Sequence, residues 1–301
     1  MQHESIIKPR HHRWDSRKTM ILVAASALIL YYSIFFVFPI GYALVGSFFN
    51  WMPTKRVFSF IGFENYNKIF SQSTLGLEMK NTLLFTLIVT LFRTAFGLLL
   101  AVLINMRGKT KTLFRMIYFL PYITSTVAVS MVWKWLFEPS AGPLNYYLSQ
   151  IGLPTQLFLK DSNQALFCVM LMTIWKETGY ATVIFMAGLT NIPSTLYEAA
   201  EIDGANRIQS FSHITLPLLK STIEFIVLTS FVTFSQTFTQ IDLMTGGGPG
   251  KSTYTMVYYL YQEAFSSNRF GRASAIAFVL FAVILVFSLL QLRMRRNGGD
   301  L

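Results

Sequence analysis

Long apolar runs alternate with shorter polar segments along this chain, and the runs are similar in length. They lie at about 20–40, 82–105, 116–137, 165–189, 222–243 and 273–292. An α-helix needs about 20 mostly apolar residues to cross roughly 30 Å of hydrocarbon, so each run predicts one membrane-spanning helix. The pattern therefore predicts an all-α integral membrane protein with six transmembrane helices.

The composition supports a membrane protein and excludes an ordinary soluble domain. Of 301 residues, 53% are hydrophobic and only 13% are charged, whereas soluble domains carry about a quarter charged residues. The first apolar run is too long for the hydrophobic region of a usual signal peptide, and we interpret it as an uncleaved span. Cys168 is the single cysteine, so no intrachain disulfide is expected.

The net charge of +11 could indicate a nucleic-acid partner, but the basic residues mostly flank the apolar runs. They form three clusters: Lys8, Arg10, Arg13, Arg17 and Lys18; Arg107, Lys109, Lys111 and Arg115; Arg293, Arg295 and Arg296. All three lie on one side of the membrane if the chain starts inside and crosses six times. Because cytoplasmic flanks are rich in lysine and arginine, both termini are predicted to be cytoplasmic. No nucleic-acid partner is expected.

This topology fixes the domain organisation and the side on which each connection lies. Residues 1–19 are predicted to be a cytoplasmic N-terminal tail, and 20–301 a single transmembrane domain. The connections 41–81, 138–164 and 244–272 are predicted to lie outside the cell, and 190–221 inside.

The stretch "GGGPGKST" at 246–253 resembles the end of a phosphate-binding loop, G-x-x-x-x-G-K-[ST]. Thr245 stands where that motif requires its first glycine. The predicted topology also places the stretch outside the cell, away from ATP. We therefore predict that this stretch is a turn following the fifth span and that it does not bind nucleotide.

The cytoplasmic segment 194–217 has the signals of two short helices joined by a turn. Ser194 is a suitable N-cap after Pro193, and Glu198 lies early enough to favour the positive end of the helix dipole. Gly204 can adopt the positive φ that ends a helix, and Pro217 precedes the fifth span. From these signals alone, the segment could equally be an ordinary pair of helices lying at the membrane interface.

The same segment resembles the EAA loop of permeases from binding-protein-dependent ABC importers. It carries Glu198-Ala199-Ala200, then Gly204 after three residues, then Ile214-x-Leu216-Pro217 after nine more. Four further stretches resemble the carbohydrate branch related to the maltose-type permease. They are "GFENYNKIF", "FRMIYFLPYITSTVAVSMVWKWLF", "LMTGGGPGKSTYTMVYYLYQEAF" and "GRASAIAFVLF".

The resemblance implies a type I ABC importer transmembrane domain in the bacterial plasma membrane. It implies a sugar substrate, a second permease in a heterodimer, two cytoplasmic ATP-binding subunits and an extracytoplasmic solute-binding protein. The loop would couple to an ATPase through Glu198, Ala199, Ala200, Asp203, Gly204, Ile214, Leu216 and Pro217. The chain itself would hold no cofactor or catalytic metal and would hydrolyse no ATP.

The resemblance also indicates which residues line the substrate pathway. They are Tyr122, Thr126, Thr173, Trp175, Tyr180, Ser230, Phe234 and Thr237. We expect Tyr122 and Thr126 on one face of one helix, and the last three residues along one stripe. Thr173, Phe234 and Thr237 stand where the maltose-type permease has amides, which predicts a different sugar or looser binding. Ordinary helix packing is the alternative role for these side chains.

Three charged residues within the predicted spans leave further alternatives open. Arg93, Lys176 and Glu177 could line a pathway, or Arg93 could pair internally with Glu177. Arg93 keeps a polyol or glycerol-phosphate-type solute possible, and such charges would also suit a stand-alone secondary transporter. An intramembrane enzyme is disfavoured because the histidines, His3, His11, His12 and His213, form no metal-binding motif.

Overall fold

The computed structural model describes residues 16–71, 73–105 and 110–297, and it is predominantly helical. The α-helices are α1 Ser16–Tyr32, α2 Phe38–Gly46, α3 Glu64–Ser71, α4 Ser73–Asn105, α5 Lys111–Ile123, α6 Thr126–Leu136, α7 Pro143–Gln150, α8 Ala165–Thr190, α9 Ser194–Ile202, α10 Arg207–Ser210, α11 Leu216–Leu218, α12 Lys220–Ser235, α13 Thr239–Met244, α14 Met256–Tyr261 and α15 Phe270–Asn297. The strands are β1 Phe49–Met52 and β2 Val57–Phe60. Most of the predicted tail 1–19 lies outside the described residues. So do Arg107 and Lys109 of the second basic cluster.

Three continuous helical segments of the described chain are long and apolar enough to cross a membrane. They are Lys18–Gly46, which joins α1 and α2 through the π-helical turn Ser33–Val37, Leu75–Asn105 in α4 and Phe270–Met294 in α15. Two bent helix pairs raise the number to five if each pair is one span. The helix α8 is about 39 Å long at 1.5 Å per residue, but Lys176 and Glu177 interrupt its apolar sequence.

The third and fifth predicted spans are not straight helices, which corrects the continuous runs expected at 116–137 and 222–243. The helices α5 and α6 meet at 91° because Thr124 and Ser125 are extended. The helix α12 ends at Ser235, and the chain becomes helical again only in α13. Apolar composition does not distinguish a broken helix from a straight one, so the runs gave no sign of these breaks.

The centre of the fold is α8, which packs against α4, α5 and α12. Close approach depends on small residues at the contacts: a side chain on Gly97 would collide with Ala181, and one on Gly179 with the backbone of Tyr118. Small residues let membrane helices approach until their backbones are in van der Waals contact. The large side chains Phe85 and Phe185 fill two neighbouring parts of the core and are fully buried.

The connection predicted at 41–81 contains a β-hairpin that the apolar pattern did not predict. Strands β1 and β2 are antiparallel, with Trp51 opposite Phe58, and Arg56 takes a positive φ of 52° in the turn. The hairpin packs against the start of α15, where a side chain on Gly271 would collide with the backbone of Phe49. The cross-strand ring pair Phe49–Phe58, with centroids 4.4 Å apart, stabilises the hairpin.

The glycine-rich stretch that follows α13 forms a turn, as predicted, and this turn is fastened to α4. The side-chain amide of Asn81 donates to the carbonyl oxygens of Ser252 and Tyr254, both at 3.0 Å. The backbone N–H of Met256 donates to the Thr82 hydroxyl at 2.8 Å. These three hydrogen bonds fix one edge of the turn to the N-terminal part of α4.

Candidate functional site

The predicted helix–turn–helix is present, and its turn has the geometry that the glycine suggested. Gly204 has a φ of +77°. The N–H of Ala205 donates to the carbonyl of Ala200 at 2.8 Å, and the N–H of Gly204 donates to that of Glu201 at 3.1 Å. This pair of bonds is a Schellman motif, which satisfies carbonyl groups left unpaired at the end of α9. The predicted positive φ at Gly204 is confirmed, and its role in coupling stays a prediction.

The start of α9 differs from the prediction. Ser194 is the first helical residue rather than the N-cap, and Pro193 occupies the cap position without a side-chain hydrogen bond. The residue before the helix needs an extended backbone, and Pro193 supplies it with a ψ of 132°. Serine is a preferred N-cap residue, which is why the sequence suggested Ser194. The helix begins at Ser194 itself, one residue earlier than that prediction requires.

The second arm is capped by a reciprocal pair of side chains. Asn206 accepts hydrogen bonds from the N–H groups of Ile208 and Gln209, and the Gln209 side chain accepts from the N–H of Asn206. The hydroxyl groups of Tyr197 and Thr215 then join the two arms at 2.8 Å. The turn is therefore held from both sides, and its shape is defined by local bonds.

The outer surface of this turn is unusually apolar for an exposed position. Ile202 is 87% exposed and Ile208 is 78% exposed. Six of the predicted coupling residues are also exposed and two are half-buried: Glu198, Ala199, Asp203, Gly204, Leu216 and Pro217, and then Ala200 and Ile214. Beneath the turn, a cavity of about 800 Å³ is lined by Tyr197, Glu201 and Arg207 and by residues at the C-terminal end of α4. This end of the molecule offers a shaped surface to a partner.

The polar centre among the spans is Arg93 on α4, which is 4% exposed. Its Nη1 donates to the Ser230 hydroxyl at 2.8 Å, and its Nε donates to the backbone carbonyl of Glu177 at 3.2 Å. The guanidinium carbon lies 4.9 Å from the ring centre of Tyr180 and 5.2 Å from that of Phe234. Aromatic faces attract a cation at these distances, so one arginine joins α4, α8 and α12.

A second cation lies next to this group. Lys176 donates to the backbone carbonyl of Tyr122 at 3.0 Å and lies 5.5 Å from the centre of its ring. The Tyr122 ring in turn packs on Tyr180, with centroids 5.0 Å apart. The structure thus brings four predicted pathway residues together around two cations: Tyr122, Tyr180, Ser230 and Phe234.

The other four predicted pathway residues do not join this group. The Thr173 hydroxyl donates to the carbonyl of Val169 in its own helix at 2.8 Å, which is the packing role that was the alternative. Trp175 is 47% exposed and packs against Trp133 at 5.5 Å. Thr126 lies beyond the break after α5, and Thr237 lies beyond the end of α12.

These placements correct three expectations. Tyr122 and Thr126 do not share a helix face, because the helix breaks between them. Thr237 does not continue the stripe of Ser230 and Phe234, because α12 ends at Ser235. Glu177 binds Arg93 through its backbone carbonyl, and its carboxylate lies 3.5 Å from Lys176 instead.

Arg93 was the functional candidate that the resemblance did not include. Its only signal in the sequence was a charge in the middle of an apolar run, which in a membrane protein usually faces a partner or a cavity. No group of three or more His, Cys, Asp or Glu side chains that could hold a metal ion occurs in the described part of the chain.

Comparison with known proteins places these features in a family context. The family described as "binding-protein-dependent transport system inner membrane component" matches residues 93–297. The sulfoquinovosyl glycerol transport system permease of Agrobacterium fabrum is 34% identical, covering 96% of this chain and 95% of that protein. The sn-glycerol-3-phosphate transport system permease of Pectobacterium atrosepticum is 32% identical, covering 86% and 88%.

A solved structure has the same overall fold. It is a chain of the bacterial alginate ABC transporter in complex with a periplasmic protein bound to an alginate pentasaccharide. The TM-score is 0.83 at 26% identity, and the match covers 96% of this chain and 99% of that chain.

Proposed function

Since this chain belongs to the family of binding-protein-dependent transport system inner membrane components, we propose that it is the permease subunit of an ATP-driven sugar or oligosaccharide importer. Members of this family are membrane subunits of ABC transporters and are not themselves the catalytic component. The observation that carries the proposal is the capped turn around Gly204, whose exposed apolar residues Ile202 and Ile208 offer a docking surface.

Coupling to ATP hydrolysis would occur through this turn. Two separate cytoplasmic ATP-binding subunits would supply the energy, one of them binding Glu198, Ala199, Ala200, Asp203, Gly204, Ile214, Leu216 and Pro217. The turn suits that role because its shape is fixed by the Gly204 motif and by the Tyr197–Thr215 bond. A rigid turn can transmit displacement of a partner to α8 and α12, which flank it in the chain.

The transmembrane domain 20–301 would cross the membrane six times with both termini in the cytoplasm. In addition to the three continuous and two bent spans, α8 would be the fourth crossing in chain order; it is long enough to span and is shielded from lipid along much of its length by α4, α5 and α12. Burial among other helices permits the polar residues that lower its apolarity. The placement of basic residues supports this orientation.

A second permease would complete the pathway. The first span, Lys18–Gly46, has none of its apolar window buried against the rest of the described chain. The exposed rings along it, such as Tyr31, Phe35 and Phe38, are available to lipid and to a partner subunit. An extracytoplasmic solute-binding protein would deliver the substrate, as the periplasmic protein in the alginate transporter suggests.

The substrate would pass near the group formed by Arg93, Tyr122, Tyr180, Ser230 and Phe234. Aromatic faces stack on sugar rings, and hydroxyl and guanidinium groups bind sugar oxygen atoms. The buried Arg93 also supports the alternative of an anionic polyol such as a glycerol phosphate, the solute named for the Pectobacterium relative. A stand-alone secondary transporter is the weaker alternative, because it leaves the Gly204 turn without a role.

The test is purification of the tagged protein from its native membrane, followed by reconstitution of the purified complex in proteoliposomes. We expect a second permease, an ATPase and a binding protein to co-purify, and uptake to require external binding protein and internal ATP. Uptake of solute by this chain alone, driven by an ion gradient, would contradict the proposal. Ligand screening on the co-purified binding protein then separates neutral sugars from anionic solutes.

A further inference from the structure

A second polar cavity lies at the opposite end of the molecule from the Gly204 turn. Its volume is about 210 Å³, and it is lined by the β-hairpin, α3 and the start of α15. The helix α4 separates the two ends, since Asn105 lines the cavity under the turn while α3 directly precedes Ser73. Pockets for drug-sized ligands measure about 300–1,000 Å³, so this one suits a smaller chemical group.

The charged residues of this cavity are not balanced. Arg269, Arg272 and Lys68 line it together with Glu64. Lys68 and Glu64 pair with each other at 2.5 Å. The two arginines share one carboxylate, that of Glu263, at 3.8 Å and 3.5 Å. One positive charge is therefore left without a compensating carboxylate.

Among the described residues, neither guanidinium group has a carboxylate within ordinary hydrogen-bond distance; the Arg269 side chain is 46% exposed and that of Arg272 12%. Both contacts to Glu263 exceed the usual N–H···O distance, and neither arginine side chain donates another hydrogen bond within the described part of the chain. Arg272 lies in the first turn of α15, where the positive end of the helix dipole disfavours a cation. A bound oxyanion would supply the missing acceptors and remove this conflict.

The walls of the cavity are rigid enough to form a site. The buried Asn65 donates to the backbone carbonyls of Ser47 and Phe49 at 2.8 Å and 2.9 Å. The hydroxyl groups of Ser47 and Tyr66 are 2.8 Å apart. These bonds hold α3 and β1 together, while Gly271 allows the start of α15 to approach the hairpin closely.

The surroundings of the cavity indicate where the oxyanion comes from. Phe58, Phe60 and Phe63 are 51%, 70% and 68% exposed beside it, and Trp51 is part of its lining. Aromatic side chains concentrate at the level of lipid headgroups, and guanidinium groups bind phosphate with two parallel hydrogen bonds. Taking the membrane orientation put forward under Proposed function, we propose that Arg269 and Arg272 bind the phosphate group of an anionic phospholipid from the outer leaflet.

The test measures binding of dioleoylphosphatidylglycerol to the purified complex by native mass spectrometry. The variant Arg269→Gln/Arg272→Gln removes both guanidinium groups and should weaken binding on the order of tenfold or more. The control is Lys55→Gln on the same hairpin, since Lys55 is exposed and does not line the cavity. That control should bind the lipid as the wild type does.

A second variant separates lost binding from misfolding. Glu263→Gln removes the carboxylate that competes for both arginines, so it should bind the lipid several-fold more tightly. A folding defect would not produce that gain. Unchanged binding in the double arginine variant would overturn the proposal.

Two further measurements distinguish the lipid from other ligands. Inorganic phosphate should not displace the lipid at concentrations where the complex is stable; efficient displacement would assign the cavity to a soluble anion and overturn the lipid source. The solute-binding protein should dock equally well to the wild type and to the Arg269→Gln/Arg272→Gln variant. Weaker docking of the double variant with unchanged lipid binding would assign the cavity to that protein instead.

Discussion

Arg93 and Ser230 lie 137 positions apart in the chain, yet the guanidinium donates to the hydroxyl over 2.8 Å in a buried setting. This bond joins α4 to α12, and the contact of Arg93 with the Glu177 carbonyl adds α8. A charged donor gives a stronger hydrogen bond than a neutral pair does. The three central helices are therefore linked by one side chain.

Ser230→Ala should destabilise the protein measurably. The change removes a hydrogen bond to a charged group, which contributes roughly 1.5–3 kcal/mol, and leaves the guanidinium with one fewer acceptor. We expect a lower thermal midpoint of the purified complex in detergent. The matched control is Ser235→Ala on the same helix, because the hydrogen-bond partner of the Ser235 hydroxyl among the described residues is the neutral Thr86 hydroxyl at 3.4 Å. Equal loss in both variants would contradict the special role of the Arg93 bond.

Gly204→Val should uncouple transport from ATP hydrolysis without preventing membrane insertion. A β-branched residue is strained at a φ of +77°, so the turn should change shape. Gly204→Asn should be milder, because asparagine tolerates this conformation. The measurement is substrate imported per ATP hydrolysed in proteoliposomes. Gly41→Ala serves as the control, since Gly41 is helical and no described atom crowds its Cβ position; normal coupling in Gly204→Val would exclude the turn from the mechanism.

Tyr180→Ala should reduce uptake more than Trp175→Ala. Tyr180 contacts both Arg93 and Tyr122, and each such contact contributes on the order of 1 kcal/mol. Loss of both corresponds to a reduction of about tenfold or more in the rate of uptake. Trp175 packs against Trp133 away from this group. The comparison uses initial rates of uptake at equal amounts of assembled complex. A larger defect in Trp175→Ala would indicate that the pathway runs past Trp175 and not past Tyr180.

Asn81→Ala should loosen the glycine-rich turn that follows α13. Both hydrogen bonds from its amide to Ser252 and Tyr254 would be lost, and the exposed Lys251 should become a better site for trypsin. Limited proteolysis of the purified complex in detergent measures the change. Ser252→Ala is the matched control because its hydroxyl has no partner among the described residues. Equal cleavage of the wild type and Asn81→Ala would show that other contacts hold the turn.

The exposed pair of Glu138 and Lys160 should make a small acid-sensitive contribution to stability. The hydrogen bond from Lys160, at 2.7 Å, lowers the pKa of Glu138 below its usual value. A lowered folded-state pKa means that the contribution is complete above the unfolded-state pKa and disappears as the pH falls through the folded-state pKa. The thermal midpoints of wild type and Glu138→Gln should therefore differ slightly at pH 7 and converge in acid. A difference that grows in acid would contradict this sign.

The sequence predicted the helical class and the turn, because both depend on local rules. Apolar length identifies membrane helices, and only a glycine fits comfortably at the φ of Gly204. The breaks after Ile123 and Ser235 do not follow from local rules. At each break, backbone hydrogen bonds within a helix are replaced by contacts with other parts of the fold. The β-hairpin likewise depends on packing against Gly271, more than 200 positions away in the chain.

For the central group, residue types were easier to predict than neighbours. Tyr122, Tyr180, Ser230 and Phe234 were predicted to line the pathway, and the structure brings them together, but periodicity could not show that they would meet around Arg93. Side chains from α4, α8 and α12 converge only when the helices have packed. Trp175, five positions from Tyr180, packs against Trp133 instead, and its role in the pathway stays a prediction.

The hydrogen bonds of Asn81 also impose an order on biogenesis. Its partner Ser252 follows 171 positions later in the chain, and ribosomes add about 5–20 residues per second. At those rates, α4 is complete for roughly 10 to 30 seconds before Ser252 is made. During this time the side-chain amide of Asn81 lacks both of its acceptors. Nascent chains arrested before residue 252 should therefore lack the bonds that hold the N-terminal part of α4 to the glycine-rich turn. Membrane proteases should recognise such truncated products at the N-terminal part of α4.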